Sequence, residues 1–407
     1  MSATRPRHLA QTPVATRRRR LVAGIAVSSL GDGLLAVALP LLAVRLTTKP
    51  LLVAGIAVAG SLPWLLFGLP AGALADRVER STLVLVVDLA RFAMVGGLGA
   101  VVAFSHPSVG ELYVAAFAVG AGETIVTAAT KSAVPLLAEE RDRPRLNGRV
   151  NAAETAGVEF AGPAAGGAAF AWRAWIPFVG DALTYLVSAL LVERATAHLG
   201  PPPERSRTTI ASDVRQGLSW FASSRSLRVL ASIVASFAFC QAAVLSVLVI
   251  YATRVLGLHG AEYGVLLSVA ALGDVASSLL AGRVHGRLGP FLSLLVAGTL
   301  AGAAYVLLGG TSRPYVAVVA LALEAAGSSL GNVTTLSLRQ RLIPPERFGL
   351  VSNAFRMCVF GAVPLGALAG GALTAAIGTR PTFVVAGIAQ LAALAAMAVP
   401  LRLVAIA

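Results

Sequence analysis

Charge, cysteine and histidine are scarce in this chain. Only 13% of its 407 residues are Asp, Glu, Lys or Arg, against 57% hydrophobic. A soluble chain of this length could not cover so much apolar surface. The two cysteines, Cys240 and Cys358, lie in apolar segments, which argues against a disulfide framework or a metal cluster. The five histidines, His8, His106, His198, His259 and His285, fall in the amino-terminal tail or in expected loops. No HExxH, nucleophile elbow or phosphate loop occurs, so neither an enzyme nor a cofactor or metal site is expected. The loops are too short for a nucleotide-binding domain, which excludes an ATP-driven pump. Aromatic girdles and ten-residue alternation, the marks of an outer-membrane barrel, are also missing.

What the chain does have is long apolar blocks of about 20 or more residues, each able to cross a hydrocarbon core of about 30 Å as a helix. Gly (41) and Pro (21) sit inside these blocks, as membrane helices tolerate. The expectation is an all-α membrane protein with spans at 21–44, 52–75, 82–104, 111–133, 148–171, 175–194, 227–252, 261–282, 289–310, 314–337, 352–376 and 381–403. Residues 1–20 form a tail, 21–195 and 227–403 two six-helix bundles, and 196–226 a linker. Within the linker, Ile210, Val214, Leu218 and Phe221 have the spacing of an amphipathic helix lying on the membrane surface.

The net charge of +14 takes its meaning from its location and does not indicate nucleic acid. With the amino terminus inside, 24 Lys and Arg fall on the inner face and only 6 on the outer. The positive-inside rule then places both termini in the cytoplasm, in a bacterial inner membrane. The other three cations, Arg91, Lys131 and Arg356, lie within spans, near their cytoplasmic ends.

Shifting the chain by 206 residues aligns Leu74-Ala75-Asp76-Arg77-Val78 with Leu280-Ala281-Gly282-Arg283-Val284. The same shift aligns Glu140-Arg141 and Asn147 with Glu346-Arg347 and Asn353. Two parallel six-helix repeats with a binding site between them are a transporter architecture, whose halves rock to give alternating access.

Gly72-Ala73-Leu74-Ala75-Asp76-Arg77-Val78-Glu79-Arg80 resembles the signature loop of the major facilitator superfamily, departing from it at Glu79 and Ser81. Gly162-Pro163-Ala164-Ala165-Gly166-Gly167 is similar to the core of that superfamily's antiporter motif, although the step from Gly157 to Gly162 is one residue too long. Further stretches resemble the macrolide-efflux and enterobactin-exporter-like branch: Gly31-Asp32-Gly33-Leu34, Ala38-Leu39-Pro40, Asp88-Leu89-Ala90-Arg91, Asp181-Ala182-Leu183-Thr184-Tyr185 and Gly260-Ala261-Glu262-Tyr263-Gly264. The resemblance implies a monomeric, proton-driven exporter of a hydrophobic or amphipathic small molecule; the alternatives are an importer of a small nutrient on the same fold or a non-transporting membrane scaffold. It also implies a cytoplasmic gate at Gly72, Asp76, Arg77 and Arg80, to which Asp88 and Arg91 add an intrahelical pair.

Eight carboxylates fall within the spans: Asp32, Asp88, Glu123, Glu154, Glu159, Asp181, Asp274 and Glu324. An ionised acid there costs about 2.5–3.5 kcal/mol on insertion scales, so each must face a cavity, meet a cation or carry a proton. Asp32, Glu123 and Glu159 are the expected proton carriers. The sparsely polar second half, offering little beside Gln241 and Asn332, suggests an apolar or cationic substrate.

Overall fold

A computed structural model describes residues 13–197, 210–344 and 347–406. Among them there is no strand, and almost every residue is helical. Helices α1 (Val14–Leu46), α2 (Pro50–Arg77), α3 (Arg80–Phe104) and α4 (Val109–Leu137) each cross once. The fifth crossing is α5 (Arg143–Thr155), a π-helical turn (Ala156–Ala161) and α6 (Gly162–Trp172), and the sixth is α7 (Ile176–Thr196). After α8 (Ile210–Ser223), the seventh crossing is broken into α9 (Arg225–Leu245) and α10 (Leu248–Arg254). Then follow α11 (Gly260–Ala270), α12 (Leu272–Gly310), α13 (Pro314–Leu342), α14 (Phe348–Ile377) and α15 (Thr379–Ile406).

Ten helical stretches among the described residues are long and apolar enough to span a membrane. One of them, Gly260–Gly310, is 51 residues long and is two crossings in a row. It turns back at Gly289, whose φ of 73° suits glycine ahead of Pro290. The broken fifth crossing supplies the other, so the expected twelve-helix architecture is present. The repeat is equally visible: α4 and α13, and α5–α6 and α14, begin and end within one residue of the sequence offset.

Differences from the sequence expectation have local causes. Helix α1 starts at Val14, before the apolar run at Leu21, because its arginines cap neighbouring elements on the face carrying the termini. Arg17 Nε donates to the Ala195 carbonyl (2.9 Å) at the end of α7, and Arg18 pairs with Asp142 (3.2 Å). Residues 1–12 and the 198–209 part of the linker lie outside the described residues. Helix α8 packs on α14, where a Cβ on Gly217 would sit 2.7 Å from the Leu350 carbonyl oxygen.

The extra residue between Gly157 and Gly162 is absorbed by the π turn. Pro163 has no N–H and its ring crowds the carbonyl four residues back, so the helix cannot run through Glu159 unchanged. Instead, the Gly162 N–H bonds to the Gly157 carbonyl, a five-residue step. That step brings both glycines against α1: a Cβ on Gly33 would lie 2.5 Å from the Gly157 oxygen and 2.8 Å from Gly162 Cα. Gly166 meets Leu34 of α1, while Gly167 meets Gly260 of α11 in the other half.

The apolar cores show how the halves are arranged. Away from the termini, Ala38, Leu42 and Ala54 of the first half share one core with Val244, Leu248 and Tyr251 of the second. On the face carrying the termini the core divides. Leu21, Leu83, Leu137 and Val192 pack within the first half, and Leu227, Leu338, Phe355 and Leu401 within the second. The halves are therefore sealed together at one face and parted at the other.

Candidate functional site

Helices α1, α2, α3, α4, α5, the π turn and α7 surround a cavity of about 310 Å³ reaching towards the parted face. Asp32, Glu123, Glu154 and Glu159 all line it, together with Arg91, Lys131 and Trp64. Four acids on four separate helical segments thus converge on one space, and Arg91 is tied to the first of them. Arg91 Nη2 lies 2.7 Å from Asp32 Oδ1 and donates to Tyr185 Oη at 2.9 Å, while the Tyr185 hydroxyl donates to Asp32 Oδ1 at 2.7 Å. The guanidinium also lies 3.8 Å from the Tyr185 ring centre and 3.4 Å from Asp88. A cation held among carboxylates in this way offsets the cost of burying either charge alone.

Asp88 and Arg91 are both buried within α3, where Arg91 joins α1 and α7. The i,i+3 pairing exists, but the shorter contact reaches a residue on another helix. Arg80 does sit at the start of α3, where its Nε donates to Ser132 Oγ of α4 (2.8 Å). Gly72, Asp76 and Arg77 close α2; their side chains lie outside what the structure describes.

Asp181 stands behind the cavity wall, fully buried, with Oδ1 accepting from Thr184 (3.3 Å) and Oδ2 unpartnered. A Cβ on Gly31 would strike its carboxyl group, which explains the glycine beside Asp32. In the second half, Glu324 Oε1 accepts from Gln241 (2.8 Å), Ser328 (2.9 Å) and Tyr305 (3.2 Å). Asp274 is half-buried at the start of α12 and makes no side-chain hydrogen bond among the described residues. At the sealed face, Pro163 and Gly167 abut Gly264, and Ser268 donates to the Phe160 carbonyl inside the π turn (2.6 Å). The glycine-proline segment is therefore both the bend of the fifth crossing and its contact with the other half.

Residues 21–362, with an overlapping match over 230–405, fit the family model described as Major Facilitator Superfamily. The chain belongs to the major facilitator superfamily. It is a membrane transporter of small molecules embedded in the bilayer. No curated protein sequence matches it. Among solved structures, it is similar to a bacterial homologue of the iron transporter ferroportin in an inward-facing state (18% identity, 97% of this chain and 100% of that one, TM-score 0.73). A bacterial homologue of the human lysosomal transporter Spinster, inward-facing and unoccupied, gives 17% identity, 97% and 95% coverage and a TM-score of 0.68. A mutant form of the nucleoside transporter NupG gives 10% identity, 96% and 99% coverage, and a TM-score of 0.75. At these identities the likeness concerns the fold of this facilitator and not its cargo.

Proposed function

We propose that this facilitator is a proton-coupled exporter of a hydrophobic or amphipathic small molecule, working by alternating access. The observation that carries this reading is the convergence of Asp32, Glu123, Glu154 and Glu159 on one cavity beside a fixed cation. The positive-inside asymmetry puts both termini in the cytoplasm of a bacterial cell, so the parted face is the cytoplasmic one.

In this reading, ionised Asp32 holds Arg91 and with it ties α1 to α3. Protonation removes the charge from Asp32 and leaves Arg91 to Asp88, which slackens the tie across the cavity. Glu123 and Glu159 carry or relay the proton, and Glu154 lies on its path. The Pro163–Gly264 contact seals the far side until the halves rock. Each charge driven across a membrane potential gains about 2.3 kcal/mol per 100 mV, enough to concentrate a neutral substrate against its gradient. Gly72, Asp76, Arg77 and Arg80 close the cytoplasmic side in the opposite state. The unit that transports is the single chain.

Inverted and right-side-out vesicles carrying the protein, given a pH gradient and presented with a macrolide, a catecholate siderophore and ethidium, test the reading. Accumulation in inverted vesicles only, abolished by nigericin and by Asp32→Asn with Glu123→Gln, supports it. Uptake by right-side-out vesicles, or accumulation that survives collapse of the gradient, refutes it.

A further inference from the structure

A second pocket, of about 100 Å³, opens between α2, α4 and α14 and shares Trp64, Thr127 and Lys131 with the larger cavity. It lies across the two halves, with Lys131 on one side and Arg356 on the other. Trp64 and Phe360 stack at 5.6 Å between ring centres, and the Arg356 guanidinium lies 6.0 Å from the first and 5.4 Å from the second. Thr124 and Thr127 supply hydroxyls, and no carboxylate lines the pocket.

Neither Lys131 nor Arg356 makes a hydrogen bond or an ion pair within 4.0 Å among the described residues. Arg91, the third cation of the spans, is by contrast paired with Asp32 and Asp88. Behind Arg356 stands Arg339, its guanidinium 4.9 Å from the Phe355 ring and its Nε buried without a partner. The second-half wall of the pocket thus carries Arg356 and Phe360, facing Lys131 and Trp64 of the first half. A cation within a span is costly, and such residues mark ligand pathways; Arg356 has no carboxylate in its pocket, while Lys131 also lines the larger cavity with Glu154.

We propose that this interface pocket binds the anionic group of an aromatic, amphipathic substrate. Its carboxylate, sulfonate or phosphate sits between Lys131 and Arg356, and its ring lies along the Trp64–Phe360 pair. The inference rests on the transport reading and narrows its substrate class to organic anions, against the apolar or cationic substrate that the sequence suggests.

Calorimetric titration of the purified full-length protein in detergent with 2-naphthoate, naphthalene-2-sulfonate and 2-naphthyltrimethylammonium tests it. Both anions are expected to bind saturably and the ammonium at least about tenfold more weakly. Arg356→Gln and Lys131→Gln should each weaken the anions about tenfold, the scale of one hydrogen bond to a charged group. Arg356→Lys should keep part of the affinity, and Glu324→Gln, at a residue that lines neither pocket, should leave it unchanged. Equal binding of the ammonium, no binding of either anion, or unchanged anion affinity in folded Arg356→Gln and Lys131→Gln overturns the proposal. Binding in detergent needs no gradient, so a failure of proton coupling or of export direction would leave this result standing.

Discussion

Arg91 reaches from α3 to Asp32 of α1 at 2.7 Å, and its charge is shared with Asp88 at 3.4 Å. The pair makes the first half a single electrostatic unit. Replacing Arg91 with Leu strands buried carboxylates, at a cost of about 3–5 kcal/mol. Thermal unfolding in detergent should show a marked loss of stability for Arg91→Leu and a smaller one for Asp32→Asn. The double variant should be more stable than additivity allows, since the second change removes one of the stranded acids. Strict additivity would mean that the two residues do not act on each other.

The sealed face offers a direct lock. A Cβ on Gly371 of α14 would lie 2.7 Å from the Ala54 Cβ of α2, within a small helix shift of disulfide geometry. Ala54→Cys with Gly371→Cys should cross-link on oxidation and stop transport, and reductant should restore it. Gly264→Leu, which drives a side chain into the Pro163 carbonyl, should lower the cross-linking yield. Flux that continues through the oxidised protein would exclude alternating access at this face.

Glu324 provides a contrast with the cavity acids, because three donors converge on its Oε1. Glu324→Gln keeps an acceptor there and should be tolerated in a thermal melt. Glu324→Leu leaves Gln241, Ser328 and Tyr305 without it, at about 1–3 kcal/mol for each group that finds no other partner.

The spans and the repeat are legible in the sequence because both are carried along the chain, in apolar runs and in a constant offset. Which acids meet is not, because it depends on helix rotation: Asp32 and Tyr185 are 153 residues apart and share a hydrogen bond. The i,i+3 pairing of Asp88 and Arg91 is visible in the sequence, and the Asp32 contact is not. The π turn does leave a signal, the one surplus residue between Gly157 and Gly162. Read with Pro163, that surplus points to a bulge of one residue. The acid-free pocket around Arg356 leaves none, since Lys131, Trp64 and Arg356 come from three distant helices.

The central claim is that substrate and proton move in opposite directions through the cavity of Asp32 and Glu123. Proteoliposomes enclosing a pH-sensitive dye, supplied with a compound shown to accumulate in the inverted vesicles, test it most directly. The account predicts that inward movement of the compound alkalinises the lumen in step with flux, and that Asp32→Asn with Glu123→Gln abolishes both. Substrate movement with no change in lumenal pH would contradict it.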